Sequence, residues 1–173
     1  MDLDPNNGLG VRYLKPNVFD RTMSRYIPLS IDELVNRYLQ GERIFAGVQV
    51  YAYTLPEINL TGVNLCGANL EGDWSGVNLS NSWLKGADLQ ASFRRANLSG
   101  SNLRGAELAE ADFTEANLSR ASLRGAGLGQ TLMTGANLSY VDLRGAFIEE
   151  IGLESANLTG ASLTGAIGID IEW

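Results

Sequence analysis

Histidine is absent from this chain, and Cys66 is its single cysteine. Together these absences exclude intramolecular disulfides, Cys/His zinc sites, Ser-His-Asp triads and Cys-His dyads. Proline is confined to the first third, at Pro5, Pro16, Pro28 and Pro56. Beyond residue 56 the sequence becomes repetitive. No run reaches the ~20 apolar residues that span a bilayer. The opening Met1-Asp2-Leu3-Asp4 lacks the basic region and apolar run of a signal peptide, so a cytoplasmic location without membrane attachment is expected. Basic residues are outnumbered, 13 against 20, for a formal charge of −7. Surfaces that grip phosphate backbones are basic, so nucleic acid is not expected as a direct ligand. An acidic balance suits solubility, or a basic partner.

What the chain has in quantity is repetition. Ala96-Asn97-Leu98-Ser99-Gly100, Ala116-Asn117-Leu118-Ser119-Arg120, Ala136-Asn137-Leu138-Ser139-Tyr140 and Ala156-Asn157-Leu158-Thr159-Gly160 are near copies. Between them a large apolar residue, the centre of each pentad, recurs every five residues from Phe93 to Leu163. The residue two before the centre is Ala in eleven of these fifteen pentads, so each pentad buries one large and one small side chain. A period of five matches neither the helix period of 3.6 nor the strand period of 2. It requires a chain that bends once per pentad and keeps two positions inside.

The pattern resembles that of the pentapeptide-repeat family, Ala-(Asn/Asp)-Leu-x-x, over about three quarters of the chain. The resemblance implies an all-β solenoid, a right-handed quadrilateral β-helix in which four pentads complete one coil. The sequence tests this independently, because residues four pentads apart share further features. Pentads centred on Leu60, Leu79, Leu98, Leu118, Leu138 and Leu158 carry Asn before the centre and Ser or Thr after it. The second column ends in Gly67, Gly86, Gly105, Gly125, Gly145 and Gly165. The third places Ala68, Ala87, Ala106, Ala126, Ala146 and Ala166 two before the centre, and the fourth has the bulkiest centres: Trp74 or Ser75, then Phe93, Phe113 and Met133. Leu60, Leu79 and Leu98 are spaced by 19 rather than 20, with one residue missing around residues 73–76 and another around 87–90. The column features persist through both, so they follow spatial stacking rather than a fixed count. About six coils at the ~4.8 Å strand spacing make a rod of roughly 30 Å.

The expected organisation is an N-terminal extension over 1–28, a capping helix over 29–42 and the β-helix over 43–173. Ser30-Ile31-Asp32-Glu33 reads as a capping box before an amphipathic helix that Gly41 stops. At the other end Ile167, Ile169, Ile171 and Trp173 leave apolar surface at a strand edge. Such edges invite pairing, so at most a weak end-to-end homodimer through this face is expected.

Several motifs dissolve into the repeat. The six Asn-x-Ser/Thr triplets at Asn59, Asn78, Asn97, Asn117, Asn137 and Asn157 lie in one column, which makes them products of the repeat rather than glycosylation sites. Gly125-Ala126-Gly127-Leu128-Gly129 lacks the strand–loop–helix setting of a phosphate loop and is in register with the pentads. Cys66 follows a centre, which points it outward as an inert thiol. No catalytic, cofactor or metal site is expected. Lys85, Arg104, Arg124 and Arg144 occupy one outward position of the second column, beside acids concentrated in the third and fourth. They form a candidate surface for a protein partner, and a scaffold or interaction module is the expected function. The family resemblance implies an alternative, mimicry of a DNA duplex to bind a type II topoisomerase such as DNA gyrase.

Overall fold

The computed structural model describes residues 26–53 and 58–168. The expectations placed on residues 1–25 and on Ile169, Ile171 and Trp173 lie outside the described residues.

Each pentad performs the same local manoeuvre. Its centre points inward, and the centre's carbonyl accepts a hydrogen bond from the N–H three residues on: Val63 to Leu60 at 3.2 Å, Ala106 to Leu103 at 3.1 Å, Ala146 to Leu143 at 3.0 Å. The third residue of this turn has a positive φ, the type II pattern. The second column gives that position to glycine throughout, from Gly67 to Gly165, at φ of 61° to 72°. Other columns place side chains there, among them Arg95, Glu115 and Tyr140 at φ 57°, 60° and 57°. The glycine column is therefore the least strained edge of the coil.

After each bend, the residue before the next centre pairs in parallel with its counterpart one coil along. On the first face Asn59, Asn78, Asn97, Asn117, Asn137 and Asn157 pair in succession; on the second, Ile44, Asn64, Trp83, Asn102, Ser122, Asp142 and Ser162. On the third, Asn69, Asp88, Glu107, Gly127, Phe147 and Ile167 follow one another, and on the fourth Asp73, Ser92, Asp112, Leu132 and Gly152. Four such ladders around one axis make a quadrilateral parallel β-helix. Its interior is packed with apolar side chains: Leu98, Leu103, Leu108, Leu118, Leu123 and Leu128 are fully buried, as are Ala96, Ala106 and Ala126 beside them. The fourth column stacks aromatic rings along the axis. Trp74, not Ser75, is its first centre; its ring lies 6.3 Å from that of Phe93, which lies 5.0 Å from that of Phe113, interplanar angles 18° and 7°.

The two short pentads share one corner, between the third and fourth faces. Leu70 to Trp74 and Leu89 to Phe93 are four residues apart instead of five. The first omission thus lies upstream of Asp73, where β3 (Asn69–Gly72) stays extended and pairs with β2 (Val48–Ala52). At the second, the Ala91 N–H bonds to the Leu89 carbonyl at 2.8 Å, a turn one residue tighter than the others.

The lateral ladder begins earlier in the chain than the repeats do. Strand β1 (Ile27–Pro28) pairs with Val48–Gln49 before the chain enters α1 (Ile31–Leu39). Ser30 caps α1, its Oγ accepting from the Glu33 N–H at 3.2 Å. Leu34 is fully buried, and Ile31, Val35 and Tyr38 pack on the same core. The Tyr38 hydroxyl donates to the Thr61 carbonyl at 2.9 Å, tying the helix to the end of the coil stack.

Candidate interaction edge

The four basic residues each follow a centre of the second column, at the corner where the second face ends. Backbone bonds stack these corners directly. Gly67 N–H donates to the Lys85 carbonyl at 2.9 Å, Gly86 to Arg104 at 3.0 Å, Gly105 to Arg124 at 3.0 Å and Gly125 to Arg144 at 3.1 Å. The structure thus brings all four to one edge, one per coil and about 4.8 Å apart, each exposed. Cys66 precedes them on the edge and Thr164 follows, through bonds from Gly47 and Gly145. Cys66 is half-buried and free.

The charges on this edge are not equivalent. Arg144 grips Asp142 on its own rung with two bonds, Nε to Oδ1 and Nη2 to Oδ2, both 2.8 Å. That contact holds the Asp142 carboxyl below its ordinary range, against the opposing effect of partial burial, and the nearby Arg124 charge adds to it. Among the described residues, the side chains of Lys85, Arg104 and Arg124 make no hydrogen bond, ion pair or ring contact. Every other described cation is engaged. Arg37 pairs with Glu42, Arg94 with Asp112 at 2.8 Å and Arg95 with Glu115 at 2.8 Å. Arg43 donates to the Tyr38 carbonyl and sits 3.9 Å from that ring, while Arg120 lies 6.0 Å from the ring of Tyr140. The three cations without a direct contact, Lys85, Arg104 and Arg124, are consecutive on a single edge, and Arg124 acts on Asp142 only through its charge.

Two acids of the adjoining third face are turned elsewhere. Glu107, around the corner, lies over the bare backbone of Gly127, where a Cβ would come within 2.6 Å of its Oε2. Asp88 accepts from the N–H of Gln90 at 3.4 Å. Acids on the fourth face are occupied instead. Burial raises the Asp112 carboxyl, but bonds from Thr114 and Arg94 outweigh it and the net shift is downward. Glu115 is lowered chiefly by its bond from Arg95.

Trp83 adjoins the basic edge. It is 57% exposed on the second face, between Asn64 and Asn102 and two residues from Lys85. Sequence reasoning did not single it out, although the position before a centre faces outward and a tryptophan there is conspicuous. The Asn column, in contrast, is internally satisfied: Asn97 and Asn117 each accept the N–H two residues on at 3.1 Å. Ile167 of the expected end-to-end interface is exposed and pairs with Phe147. No group of acids and cysteine able to hold a metal occurs among the described residues, and no described helix is long and apolar enough to cross a membrane.

Comparison with known proteins places this geometry. The family model for pentapeptide repeats matches eight copies over residues 91–130, 116–149 and 132–167. A pentapeptide repeat protein from the thylakoid lumen of Arabidopsis thaliana is 36% identical, the match covering 57% of this chain and 70% of that one with a TM-score of 0.56. A pentapeptide repeat protein, Rfr23, from the cyanobacterium Cyanothece 51142 is 26% identical over 75% of this chain and 93% of its own, TM-score 0.44. QnrB1, a plasmid-mediated fluoroquinolone resistance protein, is 19% identical over 71% of this chain and 63% of its own, TM-score 0.46. No curated protein matches the chain.

Proposed function

The chain belongs to the pentapeptide-repeat family, whose fold is the right-handed quadrilateral β-helix, and on that premise we propose that it is a non-enzymatic scaffold whose basic edge engages a protein partner. The observation that carries this reading is the consecutive run of cations without a direct hydrogen bond, ion pair or ring contact, Lys85, Arg104 and Arg124, beside exposed Trp83. Like charges held one strand spacing apart repel. The other described basic residues avoid that repulsion by taking acid or ring partners. An edge that keeps it is arranged to receive negative charge from outside. Tryptophan and arginine are also the side chains most often found at the energetic centre of protein interfaces.

The DNA-mimic alternative asks for continuous acidic stripes. On the fourth face Arg94 and Arg95 neutralise Asp112 and Glu115, which favours the scaffold reading over mimicry.

The test compares proteins retained from native extract by the parent and by a Lys85→Glu, Arg104→Glu, Arg124→Glu variant of equal melting temperature. A partner held by the parent and lost by the variant is expected. Identical retained sets would overturn the proposal.

A further inference from the structure

We infer that the edge binds an acidic α-helix lying parallel to the solenoid axis; this rests on the interaction reading above and names its partner. The argument is one of spacing. Backbone bonds fix the basic corners in consecutive coils, so the backbone positions that carry the charges recur at about 4.8, 9.6 and 14.4 Å from the first. Along an α-helix, residues i+3, i+7 and i+10 share one stripe and rise by about 4.5, 10.5 and 15 Å. Each lies within about 1 Å of a rung. An extended strand repeats on one side at roughly 6.7 Å and is out of step by the second contact. A helix with carboxylates on such a stripe therefore meets Lys85, Arg104 and Arg124 together. The fourth rung discriminates less, because Arg144 already holds Asp142.

The surroundings of the edge add two conditions. Gly86, Gly105 and Gly125 follow the cations at the corner, and a Cβ built on each meets nothing within 4 Å. The backbone beside the charges is therefore unobstructed, and a cylinder can approach it. Trp83 stands at the Lys85 end, 57% exposed on the adjoining face. It asks for an apolar residue on the flank of the acidic stripe, which makes the partner helix amphipathic rather than merely acidic. Duplex nucleic acid also supplies regular negative charge, but it supplies no apolar flank, and the chain's charge of −7 repels it.

The probe is an alanine-based helical peptide of about 18 residues with Glu at i, i+3, i+7 and i+10 and one flanking Leu. Its controls are an isomer with the same residues scattered around the helix, a version interrupted by prolines, and a duplex DNA of similar charge. Binding to the full chain is followed by anisotropy of the labelled probes at low and moderate salt. The registered helix should bind at least tenfold more tightly than the isomer. Arg104→Glu with Arg124→Glu should abolish that preference, and Trp83→Ala should weaken the registered helix alone. Equal binding of isomer or proline peptide overturns the helix inference, and tighter binding of duplex DNA replaces it with nucleic acid. No binding by any peptide also overturns it, while loss of an extract partner on charge reversal would still leave the interaction reading standing.

Discussion

Gly72→Ala is the substitution on which the geometry of the short corner makes the sharpest demand. Gly72 has φ 90°, and a Cβ there would sit 2.0 Å from the Ala52 carbonyl oxygen and 3.0 Å from its carbon. That oxygen is not free to move, because it accepts the Asp73 N–H at 2.8 Å in the ladder that joins β2 to β3. Alanine adds the left-handed backbone penalty, about 1–2 kcal/mol. It also forces apart a backbone pair whose buried groups cost about 1–3 kcal/mol when left unsatisfied. The sum is roughly 2–5 kcal/mol, or about 4–20 °C in melting temperature for a chain of this size. Gly105→Ala is the matched control: φ is 61° and its Cβ would meet nothing within 4 Å. Only the backbone penalty applies there, and any gain from a stiffer unfolded chain is common to both variants. Thermal and urea denaturation of the two variants should therefore differ by at least about 1 kcal/mol, Gly72→Ala being the weaker. Equal losses would mean that this corner is not closed by backbone contact.

Other expectations follow from the core, the ion pairs and the surface. Leu118 is fully buried within a ladder that cannot collapse, so Leu118→Ala should cost about 3–5 kcal/mol; Ala116→Leu, also buried, should overpack it by about 1–3 kcal/mol, both read by denaturant midpoints. The carboxyls of Asp73, Asp142 and Glu115 lie below their ordinary values of 3.8 and 4.5, held there by bonds from Ser75, Arg144 and Arg95. Groups lowered in the folded state contribute stability above the unfolded pKa and lose it as pH falls through the folded one. With no histidine to titrate, melting temperature should stay level from about pH 8 to pH 5 and fall below about pH 4. Purified protein in excess over DNA gyrase should leave supercoiling unchanged; dose-dependent inhibition would restore the DNA-mimic alternative.

The repeat made much of this architecture readable because burial and bending recur at fixed positions. Asn-Leu-Ser pairs with Asn-Leu-Ser one coil away, and column identity survives the shift from 20 to 19 residues. The glycine column was legible as a pattern, and its positive φ supplies the reason. What the text withheld is the three-dimensional detail of departures from the repeat. Counting places the first missing residue near Asp73, whereas the extended pairing of β3 places it upstream, and only a built Cβ reveals how closely Gly72 meets Ala52. The basic edge was legible because it too obeys the column. Its division into one paired cation and three without a direct contact was not, because that depends on rotamers: Arg144 turns to Asp142 on its own rung, while Glu107 turns to Gly127. Trp83 was legible in principle, from its outward register alone.

Site-specific photo-crosslinking shows whether a partner docks on the basic edge and the second face beside it. A photoreactive residue is placed at Ser122, beside Arg124 on the second face, or at Ser119, similarly half-buried at the first corner. In native extract a discrete protein adduct is expected from position 122, competed away by unlabelled parent and lost with Arg104→Glu and Arg124→Glu, and none from position 119. Adducts of equal yield from both positions, or from position 119 alone, would contradict it.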